Sequence, residues 1–440
     1  MTAYLGREGR LSQGGDRTRG SLGRRSFLSL LGGAALIWPR TLQAFSEEVQ
    51  EGGSPTDEAF WSFVRDQFLI PEDRIYLNNG TLGPSPAVVV DAVAEHTRRV
   101  ASTFPPGVAW EDLKGSVGEF LGADPAGLVF PRNTTEAMSF IAQGLELGRG
   151  DEVLTSDHEH IGGLCPWQLV TARSGARLRT FSLPTPAGSR TQLFDAVLGA
   201  LSPETRLVSL SHVTFTTGTV LPVEELQAAC RERGVLFAVD GAHPPGMMNL
   251  DLSSWDPDFY ASSPHKWLLA PQGTGLLYLG DQWRTRLWPT LASGGWDDLS
   301  LGAHRLNHLG TFDESRMAGL LAAVEFLTAL GMDRIEARVR YLRAYLEKGL
   351  RGLPGVRVVT PNQEDLKVGM VSFSLEGVDS LELQRHLARV ARIRTRVIGE
   401  YDYGWMRLST HFYNNPIEVD RTMALLDEVV RMGPGVFQRA

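Results

Sequence analysis

Between Ile75 and Gly280, short apolar runs alternate with stretches of helical periodicity, and no other feature constrains the fold as much. Strands separated by a helix-length segment pair in parallel through crossovers, and the crossover helices then cover both faces of the sheet. Strands are predicted over residues 127–131, 152–156, 178–182, 207–212, 235–240, 258–261 and 275–279, with helices over 134–147, 166–174, 192–201 and 223–234. After Gly310 the pattern changes to two long helices, 314–330 and 332–350. Strands over 356–359, 370–375, 393–397 and 405–409 follow, with helices over 380–390 and 417–430. The expected architecture is α/β: a large domain over 75–310 with a mostly parallel seven-stranded sheet, and a smaller C-terminal α+β domain over 311–440. Residues 45–74 are expected to pack on the small domain.

The first 44 residues stand apart. They hold seven arginines against two acids, which leaves 36 bases against 49 acids in the remainder, a net −13 compared with −8 for the whole chain. A body this acidic lacks the basic face that a phosphate backbone requires, which argues against nucleic-acid binding. Gly23-Arg24-Arg25-Ser26-Phe27-Leu28 runs into an apolar stretch that ends at Trp38, shorter than the roughly 20 residues that span a bilayer. The twin arginine, the short core with Gly32 and Gly33, and the following Arg40 resemble a Tat export signal. The expectation is a periplasmic or extracytoplasmic protein whose leader over 1–44 is cut near Ala44 or kept as an anchor, with no stable membrane span once it is removed. Two cysteines, Cys165 and Cys230, fall in helical segments and read as small buried hydrophobes rather than a disulfide framework.

In an open parallel sheet, ligands sit beyond the carboxyl ends of the strands, where helix N-termini point. The residues at those ends are Asn133-Thr134-Thr135, Asp157 to His160, His212, Asp240 to His243, and Ser262 to Lys266. Only four lysines occur, Lys114, Lys266, Lys348 and Lys367. Lys114 in an amphipathic helix, Lys348 on a charged helical face and Lys367 in a polar loop all read as solvated. Lys266 alone follows a buried-looking strand and precedes the apolar Trp267-Leu268-Leu269-Ala270. Desolvation there lowers an ammonium's pKa from about 10.4 and frees the amine for a Schiff base. Asp240 ends an apolar strand 26 positions earlier. Taken singly, the two read equally as a snorkelling lysine and a turn-forming aspartate. Together they suit pyridoxal 5'-phosphate, the lysine bonding its aldehyde and the aspartate keeping its ring nitrogen protonated.

A phosphate needs donors, and Asn133-Thr134-Thr135 opens a helix with free N–H groups and a positive dipole end, although the same residues also make a plain capping box. Ser263 and His265 beside Lys266 complete a cup, as does Gly273-Thr274-Gly275 across a dimer interface. His160 is set to stack on a flat ring. The rival is a metal pair with His158, but no zinc-type spacing supports one and no metal is expected. Arg407, in a strand with apolar neighbours, suits a carboxylate or a structural ion pair.

The order of these motifs resembles the class V pyridoxal-phosphate enzymes of aminotransferase fold type I, from Tyr76-Leu77-Asn78-Asn79-Gly80 to Arg407-Leu408-Ser409-Thr410-His411-Phe412-Tyr413-Asn414. Its most specific parts are Val239-Asp240-Gly241-Ala242-His243 and Asp258-Phe259-Tyr260-Ala261-Ser262-Ser263-Pro264-His265-Lys266. The resemblance implies the PLP-transferase fold, a homodimer with active sites near the interface, and a small amino-acid-like substrate. It implies that Lys266 forms the Schiff base, Asp240 pairs with the pyridine nitrogen and His160 stacks on the ring. Asn133, Thr134, Thr135, Ser263 and His265 would hold the phosphate, and His212 and His243 would stand near the ring. Arg407 would take the substrate carboxylate, with Asn79 beside it. The Ser-Asn that usually follows the position of His212 is Thr214-Phe215 here.

The family includes cysteine desulfurases, and Pro166-Trp167-Gln168 is similar to them. Those enzymes carry a reactive cysteine on the loop before the substrate arginine, whereas residues 395–406 contain Glu400, Tyr401, Asp402 and Tyr403 but no cysteine. The nearer likeness is to the isopenicillin-N epimerase-like branch. Transamination, with Lys266 moving the proton, is the expected reaction. Epimerisation or racemisation needs a second base, for which Tyr401 and Tyr403 are the candidates. A PLP-dependent lyase, a metal hydrolase built on His158 and His160, and a non-catalytic exported binding protein are the other readings.

Overall fold

The computed structural model describes residues 37–49, 52–103, 109–307 and 310–438, so the twin arginine and most of the expected leader lie outside the described residues. Helix α1 (Ile37–Glu48) buries Leu42 and Phe45, and Phe45 stacks on Phe326 at 4.6 Å. Asp57 caps α2 (Glu58–Arg65) by accepting from Phe60 N–H at 3.1 Å, and Trp61 of α2 packs on Phe412. The boundary expected at residue 44 therefore falls inside α1, because one apolar stripe runs through it.

Strand β1 (Ile75–Tyr76) and helices α3 (Ala87–Thr103) and α4 (Trp110–Leu121) lead into the large domain. There β2 (Leu128–Val129), α5 (Thr134–Gly144), β3 (Glu152–Ser156), α6 (Ile161–Ser174), β4 (Arg177–Phe181), α7 (Arg190–Ala200), β5 (Thr205–Ser211), α8 (Val223–Glu232) and β6 (Leu236–Asp240) alternate. Then β7 (Phe259–Ser262) and β8 (Leu276–Leu279) close the seven-stranded sheet in the order β2-β8-β7-β6-β5-β3-β4. Only the pairs made by β8 are antiparallel. The central strands are buried on both faces, which is why their sequences read as continuous apolar runs. Val153, Leu207, Ala238 and Phe259 from the sheet meet Met138, Ile141 and Trp167 from α5 and α6 in one core.

Two local expectations shift. The helix expected from Pro166 begins at Ile161, because His160 caps it, its Nδ1 accepting from Gly162 N–H at 3.1 Å, and Pro166 lies inside. Helix α9 (Ser315–Leu330), expected in the small domain, packs on α3 and α4 and so stands with the large one.

Helix α10 (Met332–Arg351) begins the small domain, followed by β9 (Val356–Val358), β10 (Met370–Leu375), α11 (Ser380–Ala391), β11 (Ile393–Arg394), β12 (Arg396–Ile398), β13 (Trp405–Ser409) and α12 (Pro416–Met432). The single strand expected over 393–397 is broken at Thr395: β11 pairs with β1, whereas β12 joins the antiparallel sheet β12-β13-β10-β9. Among the described residues no single helix is long and apolar enough to cross a membrane.

Candidate active site

The strand order turns back between β3 and β5, and beyond the carboxyl ends of the large sheet lies a cavity of ≈ 310 Å³. Lys266 enters it from the turn after β7, where its N–H donates to Ser263 O at 3.1 Å and its carbonyl accepts from Asn79 Nδ2 at 3.4 Å. The loop at Gly83 presses against this turn so closely that a Cβ there would stand 1.9 Å from Lys266 O, which only glycine avoids. Burial draws the Lys266 ammonium down to about 8; the Asp240 carboxylate opposes the shift, and Arg407 and Arg396 add to it. A useful fraction of the amine is therefore neutral near physiological pH.

Asp240, the last residue of β6, accepts from Ala242 N–H at 3.0 Å. Burial raises its pKa, with Lys266 and the Ala242 bond acting the other way, so the site favours a cationic partner for this carboxylate. His243 Nδ1 accepts from Trp267 Nε1 at 3.0 Å. Burial, helped by Lys266 and Arg407, holds the His243 imidazole well below its usual range and hence neutral. Its remaining proton is then on Nε2, the atom 3.4 Å from Lys266 Nζ. Trp267 thus makes His243 a hydrogen-bond donor toward the reactive amine.

At the opposite wall, Asn133 caps α5 by accepting from Glu136 N–H at 3.0 Å, which points the first N–H groups of the helix into the cavity. Ser263 joins this corner, its hydroxyl 2.7 Å from Thr134 Oγ1 and accepting from Thr134 N–H at 3.1 Å. His265 lines the same wall, and its Nδ1 is buried without a hydrogen-bond partner. Helix α6 closes over the other side: a Cβ at Gly163 would lie 2.7 Å from Asp240 Oδ2.

His160, ahead of α6, is held by its capping bond and by edge-on contact with Phe215 at 5.1 Å, and burial draws its pKa down to about 3. Beneath it lies Glu159, which the sequence reading did not single out. Both its oxygens accept, from Ser156 and Ser211 hydroxyls at 2.6 Å each, tying the ends of β3 and β5 together. Burial nevertheless pushes its carboxyl up to about 8. The available signal was an acid between two histidines just past an apolar strand.

Arg407 on β13 is buried; its Nη1 donates to Phe215 O at 2.8 Å and its Nη2 to Thr81 Oγ1 at 2.9 Å, while Nε has no partner. Arg396 on β12 also lines the cavity and went unnoticed in the sequence, since only the break at Thr395 turns it this way.

Thus Lys266, Asp240, His243, Asn133, Thr134, Thr135, Ser263, His265, His160 and Arg407 converge on one cavity. Asn79 and His212 do not line it. The Asn79 oxygen accepts from Tyr413 Oη at 3.0 Å, so its amide is spent on positioning Lys266 rather than on substrate. His212 turns to Tyr260 Oη at 3.0 Å. Thr274 Oγ1 donates to Pro271 O at 2.6 Å. His158 lies in a second cavity with Thr185, Tyr403 and Trp405, apart from His160, so the two imidazoles do not share a metal site. Tyr401 Oη donates to Glu159 O at 2.8 Å and Tyr403 stacks on Trp405 at 4.1 Å, so neither candidate second base faces the main cavity.

Two lysines read as solvated are buried. Lys367 Nζ donates to both Glu347 oxygens, at 3.0 and 2.9 Å, and Lys114 lies on the inward stripe of α4, 3.4 Å from His304 Nδ1. Lys348 is exposed as expected, and none of the three lines the cavity. Both cysteines are free; Cys230 is buried, but Cys165 is exposed on the outer face of α6.

Comparison with known proteins agrees with this geometry. Residues 85–422 match the family model described as aminotransferase class-V. The chain is 35% identical to the isopenicillin N epimerase of Amycolatopsis lactamdurans, over 84% of this chain and 98% of that protein. It is 34% identical to the isopenicillin N epimerase of Streptomyces clavuligerus over the same shares. A probable cysteine desulfurase of Pyrococcus abyssi is 28% identical over 84% of this chain and 97% of its own. Among solved structures, a C-DES mutant with glycine covalently linked to its PLP cofactor matches with a TM-score of 0.73 and 26% identity, covering 83% of this chain and 99% of that one. The apo cysteine desulfurase of Thermococcus onnurineus NA1 matches with a TM-score of 0.74 and 25% identity, covering 84% and 98%.

Proposed function

The chain belongs to the class V aminotransferase family, and from that premise we propose that it is an aminotransferase working at the α-carbon of an amino acid or amino-acid-like group. Its cofactor is pyridoxal 5'-phosphate, and the residues fit that group. The unpartnered His265 Nδ1, the Ser263–Thr134 corner and the open start of α5 suit a phosphate, while Asp240 suits a protonated ring nitrogen and the fixed His160 ring a stacking face. When bound, the cofactor supplies an electron sink that acidifies the Cα–H of an attached amine.

The chain's own residues do the rest. Arg407 orients the substrate by its carboxylate, with Nε unspent and the rest of the fork held by Phe215 and Thr81. Lys266, with its ammonium near 8, takes and returns the proton at Cα, while His243 Nε2–H donates beside it. Helix α6 and Phe215 limit water on the His160 side. The observation that carries transamination is that both tyrosines considered as a second base face away from the cavity, with Tyr401 bonded to Glu159 O and Tyr403 stacked on Trp405, which leaves the proton transfer to Lys266. Epimerisation is the second reading, favoured by the two relatives named isopenicillin N epimerase. Desulfuration is the reading of relatives such as the probable cysteine desulfurase of Pyrococcus abyssi, but here the loop over 399–404 carries no cysteine and Cys165 does not line the cavity.

The test is incubation of holoenzyme with a panel of amino acids in deuterated water. Exchange at Cα with keto-acid formation supports transamination, and exchange with inversion supports epimerisation instead. Absence of a borohydride-reducible visible band, or its persistence in Lys266→Ala, overturns the cofactor assignment.

Two further parts of the reading concern place and assembly. Arg24-Arg25 supports Tat export to an extracytoplasmic compartment, which suits a protein that must fold around its cofactor first. A homodimer is supported by the exposed apolar run of Trp288, Leu291, Trp296 and Leu299.

A further inference from the structure

Resting on that reading, we propose that Arg396 binds a second carboxylate of the substrate, so that the cavity selects amino acids whose side chain is itself anionic. Strands β12 and β13 are antiparallel with Arg396 directly opposite Arg407. Residues so paired share one face with Cβ atoms about 4.5–5.5 Å apart, and like charges there repel. The fold accepts this repulsion inside a binding cavity: among its lining residues are three cations, Lys266, Arg396 and Arg407, against the one carboxylate of Asp240.

A phosphate does not account for the pair. The donors suited to one come from α5 and the turn after β7 in the large domain, whereas both arginines come from small-domain strands. Neither guanidinium is saturated. Arg407 Nε is buried without a partner, and among the described residues the Arg396 side chain bonds from Nη2 to Glu400 Oε1 alone. Glu400 Oε2 is buried and unpartnered, so this ion pair is half-made and open to exchange with an incoming carboxylate. The Arg396 side chain is 36% exposed, within reach of a ligand, whereas Arg407 sits deeper. One α-carboxylate occupies one guanidinium fork. The second fork, one strand away and nearer the solvent, calls for a second anion on the same molecule.

The experiment uses ligands without an amine, so that no chemistry follows binding: glutarate and the monocarboxylate of equal length, pentanoate, titrated calorimetrically into holoenzyme. A charge-assisted fork is worth roughly 1.5–3 kcal/mol, so glutarate should bind at least about tenfold more tightly than pentanoate. In Arg396→Leu the ratio of the two dissociation constants should fall to near one, and Arg396→Lys should restore part of it. Glu400→Gln, which releases Arg396, should strengthen glutarate binding, a gain that a misfolded protein cannot show. Equal affinities in the unaltered protein, or an unchanged ratio in Arg396→Leu, overturn the proposal; the former result means that both arginines grip one carboxylate, and the latter that another group holds the second. Loss of the enzyme reading is recognised separately, by absence of the reducible band.

Discussion

Trp267 decides which nitrogen of His243 carries the proton, and so decides what His243 does. An indole N–H can only donate, hence Nδ1 must accept and Nε2 must hold the hydrogen that faces Lys266. The consequence is measurable in the apoprotein. Nitrogen-15 spectra of labelled histidine should show His243 with an unprotonated Nδ1, and Trp267→Phe should populate both tautomers; a protonated Nδ1 in the unaltered protein would contradict the assignment. The pairing of Lys266 with Asp240 was legible in the sequence because Asp240 ends one apolar strand and Lys266 follows the next. The tautomer was not, since it depends on the orientation of the Trp267 ring. Lys114 and Lys367 were misjudged for a related reason. A charged residue looks solvated until its partner is known, and Glu347 and His304 lie far away in sequence.

Strand ends carry the site, and what holds the strand ends together sets its precision. Glu159 ties β3 to β5 at the carboxyl end. At the opposite end Glu152, fully buried, binds Arg179 at 2.7 and 2.8 Å, Thr205 at 2.8 Å, and Arg177. The Arg179 bonds, against the opposing effect of burial and with help from Thr205, draw its carboxyl from an ordinary 4.5 down to about 2. A carboxyl lowered on folding contributes stability that is fully present above pH 4.5 and is lost as pH falls toward 2. Glu152→Gln should therefore cost about 1–3 kcal/mol at pH 7, less than a wholly buried pair because both arginines are partly exposed. In urea titrations the gap from the unaltered protein should narrow below pH 4. An equal gap at pH 7 and pH 3 would rule out the ion pair as its source. The alternation of apolar runs foretold these strands well. It could not foretell the break at Thr395, because 393–397 reads as one continuous strand whichever sheet its halves join.

The N-terminal helices join the two domains of the body. Phe45 of α1 stacks on Phe326 in the large domain, while Arg338 of α10 donates to Pro55 O at 2.8 Å and to both oxygens of Glu58. Cleavage near Ala44 would remove Trp38 and Leu42, each 8% exposed, from this packing. At about 1.5–3 kcal/mol for each such side chain, a protein beginning at residue 45 should be less stable than one beginning at residue 37 by about 3–6 kcal/mol. Coincident urea midpoints for the two would show that this part of α1 contributes nothing. By itself the sequence determined the parallel α/β body, the small domain and the order of Lys266, Asp240, His160 and Arg407 along the chain, because periodicity and strand-end position are local properties. Only the tertiary structure decided that Arg396 faces Arg407, that Asn79 serves Lys266, that His212 turns away and that Trp267 governs His243. Each depends on which distant element packs against the residue, and neither composition nor spacing records that.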